Sequence, residues 1–338
     1  MSKFSLDVLN RCVFPYLKSD NPDVVLGAVF GEDVSLTKIK DGILVSHVDP
    51  IVGAVKNIGW LAVHVACNDV ATSGTSPRWI LLLVLVPDQK DENLLEEIIR
   101  DAGRAAQEIG VSIIGGHTGY SSNCSRPLVA VTALGTISGD NAVRTRGAQV
   151  GDHILVTKGI AIEGTAILAD DFSDTALQLG LSNEDLKEAR QLMAVISVIP
   201  EALALAQHGA TAMHDVTRGG LLETLLEIAY LSGVGVRVDS DRFPISPIVS
   251  RFSKAFQFDS LKMISSGTLV ATIPNERLNT AKEILNKKGI PFSDIGRIVE
   301  GTGVKIIQDG EEIDYQDIHC EEDELARMWE VYRHNDNK

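Results

Sequence analysis

Basic charge is in short supply in this chain. It carries 31 Lys and Arg against 46 Asp and Glu, a formal net charge of −15. Non-specific binding to nucleic acid or to an anionic membrane needs a basic surface, so neither partner is expected. Cysteine is scarce as well. Cys12, Cys67, Cys124 and Cys320 show no C-x-x-C spacing, which argues against a disulfide framework and a structural zinc site. Long apolar runs are missing: the longest, Trp79 to Pro87, falls far short of the ~20 residues of a membrane helix. The N-terminal stretch MSKFSLDVLNR has no signal-peptide core. No G-x-x-x-x-G-K-[ST], G-x-S-x-G or H-E-x-x-H occurs, so a P-loop, a nucleophile elbow and that zinc-protease signature are not expected. These absences point to a cytoplasmic protein.

What is present is ample core. A chain of 338 residues with 44% hydrophobic residues suggests two or three ordinary globular domains. Along the first half, apolar strands over 24–30, 42–48, 79–86, 111–114 and 127–136 alternate with helical patterns over 57–72 and 91–109. Trp79 to Val86 is continuously apolar, which predicts a strand buried on both faces. Gly110 is placed to cap the second helix. The polar stretch Arg144 to Asp152 reads as a domain boundary. Beyond it, strands over 153–157, 211–214, 234–238, 268–273, 292–298 and 304–307 alternate with helices over 173–208, 221–231 and 279–288. This is an α/β (α+β) pattern, with domains at 1–146 and 147–312. The charged tail 313–338 is expected to carry a surface helix that frays.

Polar clusters lie at the ends of these apolar elements, where loops converge on sites. Asp33, Asp49, Asp69 and Asp215 are the candidate ligands of a divalent metal, since Mg²⁺ takes oxygen ligands. Each taken singly also fits a turn or a cap. Asn68 and Asp69 form an amide–carboxylate pair inside a run of small and apolar residues, and a buried carboxylate there needs a partner. Thr217-Arg218-Gly219-Gly220 heads an apolar helix and offers an anion site. Thr217 is the expected N-cap, Gly219 and Gly220 let backbone N–H groups approach a phosphate, and Arg218 is placed to clamp it. Glycines chosen for packing are the alternative. In Gly115-Gly116-His117-Thr118 the imidazole suits a base, a ligand, a phosphate contact or a plain loop histidine. His47 and His64 read as structural.

Taken in order, GED, VDP, NIGWLAVHVACNDVATSGTSP, VSIIGGHTGY and HDVTRGGLLETLLEIA resemble the aminoimidazole-ribonucleotide (AIR) synthetase, or PurM-like, superfamily over about residues 25–310. The nearest look is to HypE-like hydrogenase-maturation proteins. The resemblance implies a two-domain PurM-like fold: a ferredoxin-like N-terminal half whose strands form a barrel-like homodimer interface, and an α/β C-terminal half. It implies ATP and Mg²⁺ in the cleft between them, and transfer of the γ-phosphoryl group to an amide, carbonyl or phosphate oxygen of a small-molecule or protein-bound acceptor. By position it makes Asp33, Asp49, Asp69 and Asp215 metal ligands, and Asn68, Thr118, Thr217, Gly219 and Gly220 nucleotide contacts. His117, Asp215 and Arg218 become the catalytic group. Two departures stand out. His117 occupies a place where the superfamily has Asp or Glu, and HypE ends on a carrier cysteine whereas the nearest here is Cys320, among acidic neighbours that disfavour its thiolate. A kinase similar to thiamine-monophosphate kinase and a non-catalytic ATP-binding assembly factor are the alternatives.

Overall fold

A computed structural model describes residues 5–17, 20–52, 56–139, 141–318 and 323–332. The first part runs α1 (Leu6–Cys12), β1 (Val24–Leu26), β2 (Ser35–Ile39), β3 (Gly42–Ile51), α2 (Ile58–Thr72), β4 (Pro77–Val86), α3 (Glu92–Ile109), β5 (Ser112–Tyr120) and β6 (Leu128–Ile137). The second runs β7 (His153–Thr157), α4 (Ile162–Asp171), α5 (Ser173–Gln178), α6 (Asn183–Gln191), α7 (Ile199–Gln207), β8 (Ala212–Asp215), α8 (Gly220–Ser232), β9 (Gly235–Asp239), α9 (Pro247–Phe256), β10 (Leu269–Ile273), α10 (Leu278–Lys287), β11 (Phe292–Val299), β12 (Val304–Gln308), β13 (Glu311–Tyr315) and α11 (Glu324–Tyr332). The mixed α/β expectation holds.

Two sheets carry the structure. The first is ordered β1-β2-β3-β6-β4-β5, with β4 and β5 parallel and the other pairs antiparallel. The helices α2 and α3 cover one of its faces, and their alanines and valines interleave with Val45, Ile80, Val84 and Val131 in one core. Small side chains let the helix backbones come close: a Cβ on Gly59 of α2 would sit 2.1 Å from the Ile98 carbonyl of α3. Gly110 ends α3 in the left-handed region (φ 73°), the C-cap the sequence predicts.

The continuous apolar run of β4 does not mean burial on both faces. Ile80, Leu82, Val84 and Val86 are buried, whereas Leu81 is 39% exposed. Among the described residues no layer of helices covers the outer face of this sheet. The glycines of Gly115-Gly116 suggested a loop, yet β5 runs through them to Tyr120 as the edge strand, with His117 opposite Leu83.

The second sheet is ordered β13-β12-β9-β11-β7-β10-β8. Its inner strand β7 is buried at all five residues, and β8 and β10 are buried along their whole length. The sequence reading had no strand at β13 and no helix at α9. It also misjudged the tail. Although most of the tail is charged, Leu325, Met328, Trp329 and Tyr332 fall at helical spacing, and α11 buries Leu325 and Met328 in a cluster with Phe172, Phe252 and Ile264. Cys320 lies outside the described residues.

Candidate active site

Segments of both domains bring ionisable groups to a cavity of about 560 Å³ between the two sheets' domains. Asp33 comes from the turn before β2, His47 and Asp49 from β3, and Asp69 from the last turn of α2. The second domain adds Glu163 of α4, His214 at the end of β8, Thr217 and Arg218 of the following turn, and Glu227 of α8. Strand ends and helix termini suit this work, because the elements behind them stay apolar while their ends converge.

The geometry centres on His214, which the sequence reading passed over. Its Nδ1 is 2.7 Å from the Asp215 carbonyl oxygen and 3.1 Å from Asp33 Oδ1, and its Nε2 is 2.8 Å from Glu227 Oε2. The carbonyl accepts only, and so do the ionised carboxylates, so both ring nitrogens donate and the ring is an imidazolium. Burial opposes that charge, but Asp33, Glu227 and Asp215 outweigh it and push the imidazole up to about 10. Burial also pushes Asp33 up, to about 8, with Asp215 adding to the rise and His214 pulling the other way. The direct 3.1 Å contact favours the ion pair over two neutral groups.

His47 holds the first-domain side. Its Nδ1 meets the Asp33 carbonyl oxygen and therefore carries a proton, while Nε2 lies 3.4 Å from Asp69 Oδ2. One imidazole thus joins the β2 turn to the end of α2. The structural role foreseen for His47 is correct in kind, but the ring stands on the cavity wall.

A divalent cation fits this arrangement. Asp33 and Asp215 bring carboxylate oxygens within 4.8 Å of one another and of His214. Asp33 Oδ2 is buried and has no hydrogen-bond partner among the described residues. The donors left for an ion are carboxylate oxygens, which suit Mg²⁺. His214 has both nitrogens committed to acceptors and acts as an internal counter-ion.

Other predicted residues stand elsewhere. Asn68 is fully buried and faces away from the cavity: its Nδ2 donates to the Ile196 carbonyl (2.8 Å), and Val198 N–H donates to its Oδ1 (2.9 Å). The same segment is gripped from the other side by Lys158, whose Nζ reaches the carbonyls of Val195 (2.9 Å) and Ser197 (2.6 Å) and the carboxylate of Glu201 (2.6 Å). Asn68 is therefore an interdomain clamp. His117 and Thr118 are exposed on edge strand β5 and line no part of the cavity. Thr217 is not the N-cap of α8; that position is Gly219 (φ 80°). Gly219 and Gly220 serve packing. A Cβ on Gly220 would meet the Leu261 carbonyl oxygen at 2.3 Å, and one on Gly219 would meet Glu223 at 2.6 Å. The amides of Gly220, Leu222 and Glu223 already donate to Thr217, Leu261 and Gly219, so this turn is not an open phosphate cradle.

Besides His214, the sequence reading missed Glu163 and Glu227. Each is almost fully buried on a largely apolar helix. Because α4 also carries Asp170 and Asp171 and α8 also carries Glu223, sequence alone does not single them out. Glu163 accepts from Ser266 N–H at 3.0 Å, and burial pushes its carboxyl up to about 7, against the pull of Ser266 and Arg218.

Two domains, each with its own sheet, and an acidic cavity between them define a PurM-like architecture. The chain belongs to the AIR synthase related protein family: residues 31–137 match that family's N-terminal domain and residues 149–309 its C-terminal domain. A putative hydrogenase expression/formation protein of Methanocaldococcus jannaschii is 29% identical over 244 residues, 71% of this chain and 69% of that one. Among solved structures, AaThiL complexed with AMPPCP and TMP superposes with a TM-score of 0.74 at 20% identity, covering 92% of this chain and 96% of that one. The hydrogenase maturation protein HypE in complex with ATP gives 0.70 at 23% identity, covering 93% and 95%.

Proposed function

We propose that this protein is an ATP- and Mg²⁺-dependent enzyme that transfers the γ-phosphoryl group of ATP to an oxygen of an acceptor molecule. The observation that carries this reading is the meeting of Asp33, Asp69, Asp49 and the His214–Asp215 strand end, from both domains, around one cavity. The structural likeness to HypE in complex with ATP and to AaThiL complexed with AMPPCP supports a nucleotide there. Asp33, Asp49, Asp69 and Asp215 would hold Mg²⁺. When bound, ATP and Mg²⁺ supply the transferable phosphoryl group and neutralise its charge.

The chain's own groups prepare the site. His214 pairs with Asp33 and Glu227 in a buried place, and His47 reaches Asp69. Arg218 brings the one fixed positive charge among the described cavity-lining residues, suited to a phosphate oxygen. The Asn68 and Lys158 contacts set how the two walls face each other.

We also propose a homodimer through the outer face of the first sheet, where Leu81 of β4 is exposed next to edge strand β5, which carries the exposed Ile114. An exposed apolar sheet face with an unpaired edge calls for a cover.

Calorimetry with a non-hydrolysable ATP analogue and Mg²⁺ tests the nucleotide reading. The unaltered protein should bind only when Mg²⁺ is present, and Asp33→Asn and Asp69→Asn should each weaken binding at least 10-fold. Unchanged affinity in both variants refutes the assignment.

A further inference from the structure

The cavity has a second half beyond its acidic end. Leu61, Val65 and Asp69 line it from one face of α2 at successive helical turns. At 1.5 Å per residue this face runs about 12 Å from an apolar end to the acidic one. The apolar end is completed by Ile167 of α4, by Ile264, and by Leu325 of α11, all in one buried cluster.

Leu325 makes the C-terminal helix a wall of this chamber, and the helix is held in place. Met328 is fully buried, and Trp329 packs on Phe172 with ring centroids 4.5 Å apart. The Arg126 guanidinium, from the β5–β6 connection, stacks on the other side of the indole at 4.0 Å. Arg327 also donates to the Gln257 carbonyl at 2.5 Å. The helix is thus fastened to both domains.

The chamber's polar groups are few. Glu163 lies one turn from Ile167 on α4, and Ser266 lies two residues from Ile264. Asp323, buried at the start of α11, adds its charge to the surroundings of Glu163. Around the whole cavity the described lining holds six carboxylates, one Arg and no Lys. An anionic guest in the apolar end would give up its water beside Glu163, with Arg218 as the one Lys or Arg of the described lining, and the desolvation of its charge would go largely uncompensated.

We propose that this chamber binds a non-anionic small molecule with an apolar body and a hydrogen-bond-donating head, the body against Leu61, Val65, Ile167 and Leu325 and the head on Glu163. It rests on the phosphoryl-transfer reading, in which this molecule is the acceptor. A phosphate ester is excluded by the same lining.

The test uses the full chain with AMPPCP and Mg²⁺ and two matched pairs, thiamine against thiamine monophosphate and benzamide against benzyl phosphate, followed by ligand-observed NMR. In each pair the phosphate-free member should bind at least 10-fold more tightly. Leu325→Trp, which fills the chamber, should abolish that binding and leave AMPPCP affinity within twofold. Ile167→Phe fills it from the opposite wall and serves if the first variant does not fold. Equal or tighter binding of the phosphate esters, binding of neither member, or binding untouched by both fillings overturns the proposal. Failure of AMPPCP to bind the unaltered protein refutes the phosphoryl-transfer reading instead, and the pairs are then measured without nucleotide to judge the chamber alone.

Discussion

Replacing Asn68 by Ala separates a clamp from a phosphate ligand. The amide is fully buried, and its two ends hold Ile196 O and Val198 N–H at 2.8 and 2.9 Å. Alanine leaves both backbone groups buried and unpaired, each at a cost of about 1–3 kcal/mol, so the loss should be about 2–5 kcal/mol. Against a typical net stability of ~5–15 kcal/mol this is a large fraction. Asn68→Asp keeps an acceptor for Val198 N–H but sets a carboxylate against the Ile196 carbonyl, and should destabilise as well. Urea unfolding at neutral pH, followed by far-UV circular dichroism, reads the change as a shift in midpoint. A residue that merely contacts a nucleotide would give the opposite pattern, with stability of the free protein kept and nucleotide affinity lost. A loss below about 0.5 kcal/mol for Asn68→Ala refutes the clamp.

Three further expectations follow from the same contacts. Glu163 is raised from 4.5 to about 7, chiefly by burial, so the folded state holds a proton that the unfolded chain has released. The stability this lends is complete below pH 4.5 and is lost as pH rises through about 7, a change of about 3 kcal/mol. Glu163→Gln should therefore melt higher than the unaltered protein at pH 8 and converge with it near pH 4.5; parallel melting profiles would sink the argument. Met328→Ala should cost about 2–4 kcal/mol in chemical denaturation if α11 is docked as described, whereas a frayed surface helix would show almost nothing. Ile114 is 56% exposed on β5, and Ile114→Glu should convert a dimer to a monomer in light scattering; an unchanged mass would remove this face as the interface.

Much of the fold was legible because its signals are local. The helical spacing of α2, the cap at Gly110 and the positions of Asp33 and Asp215 beside strand ends and of Asp69 near the end of α2 can each be read within a dozen residues. The errors share one physical cause: one residue type meets two different needs. Asn68 beside Asp69 reads as a ligand pair, yet an amide is also what a buried N–H and C=O require together, and only the approach of residues 196–198 from the other domain decides between them. Gly219 and Gly220 suit phosphate approach and close packing equally; the Leu261 carbonyl decides for packing. His214 looked like a strand residue because its three acidic partners come from the β2 turn, the end of its own strand and α8, and no window of sequence shows them together.

The apolar run of β4 carries the same ambiguity one level higher. Trp79 to Val86 has the continuous hydrophobicity of a strand covered on both faces, and within one chain α2 and α3 cover only one. The sequence pattern is still informative, because side chains alternate along a strand and a solvated face would be expected to turn polar. Here Leu81 stays apolar on the open side, next to the edge strand β5 with its exposed Ile114. In the proposed dimer, a second molecule would supply the burial that this run predicts. A cover over β5 would also take in His117 and Thr118, which stand on that strand with no place at their own chain's cavity.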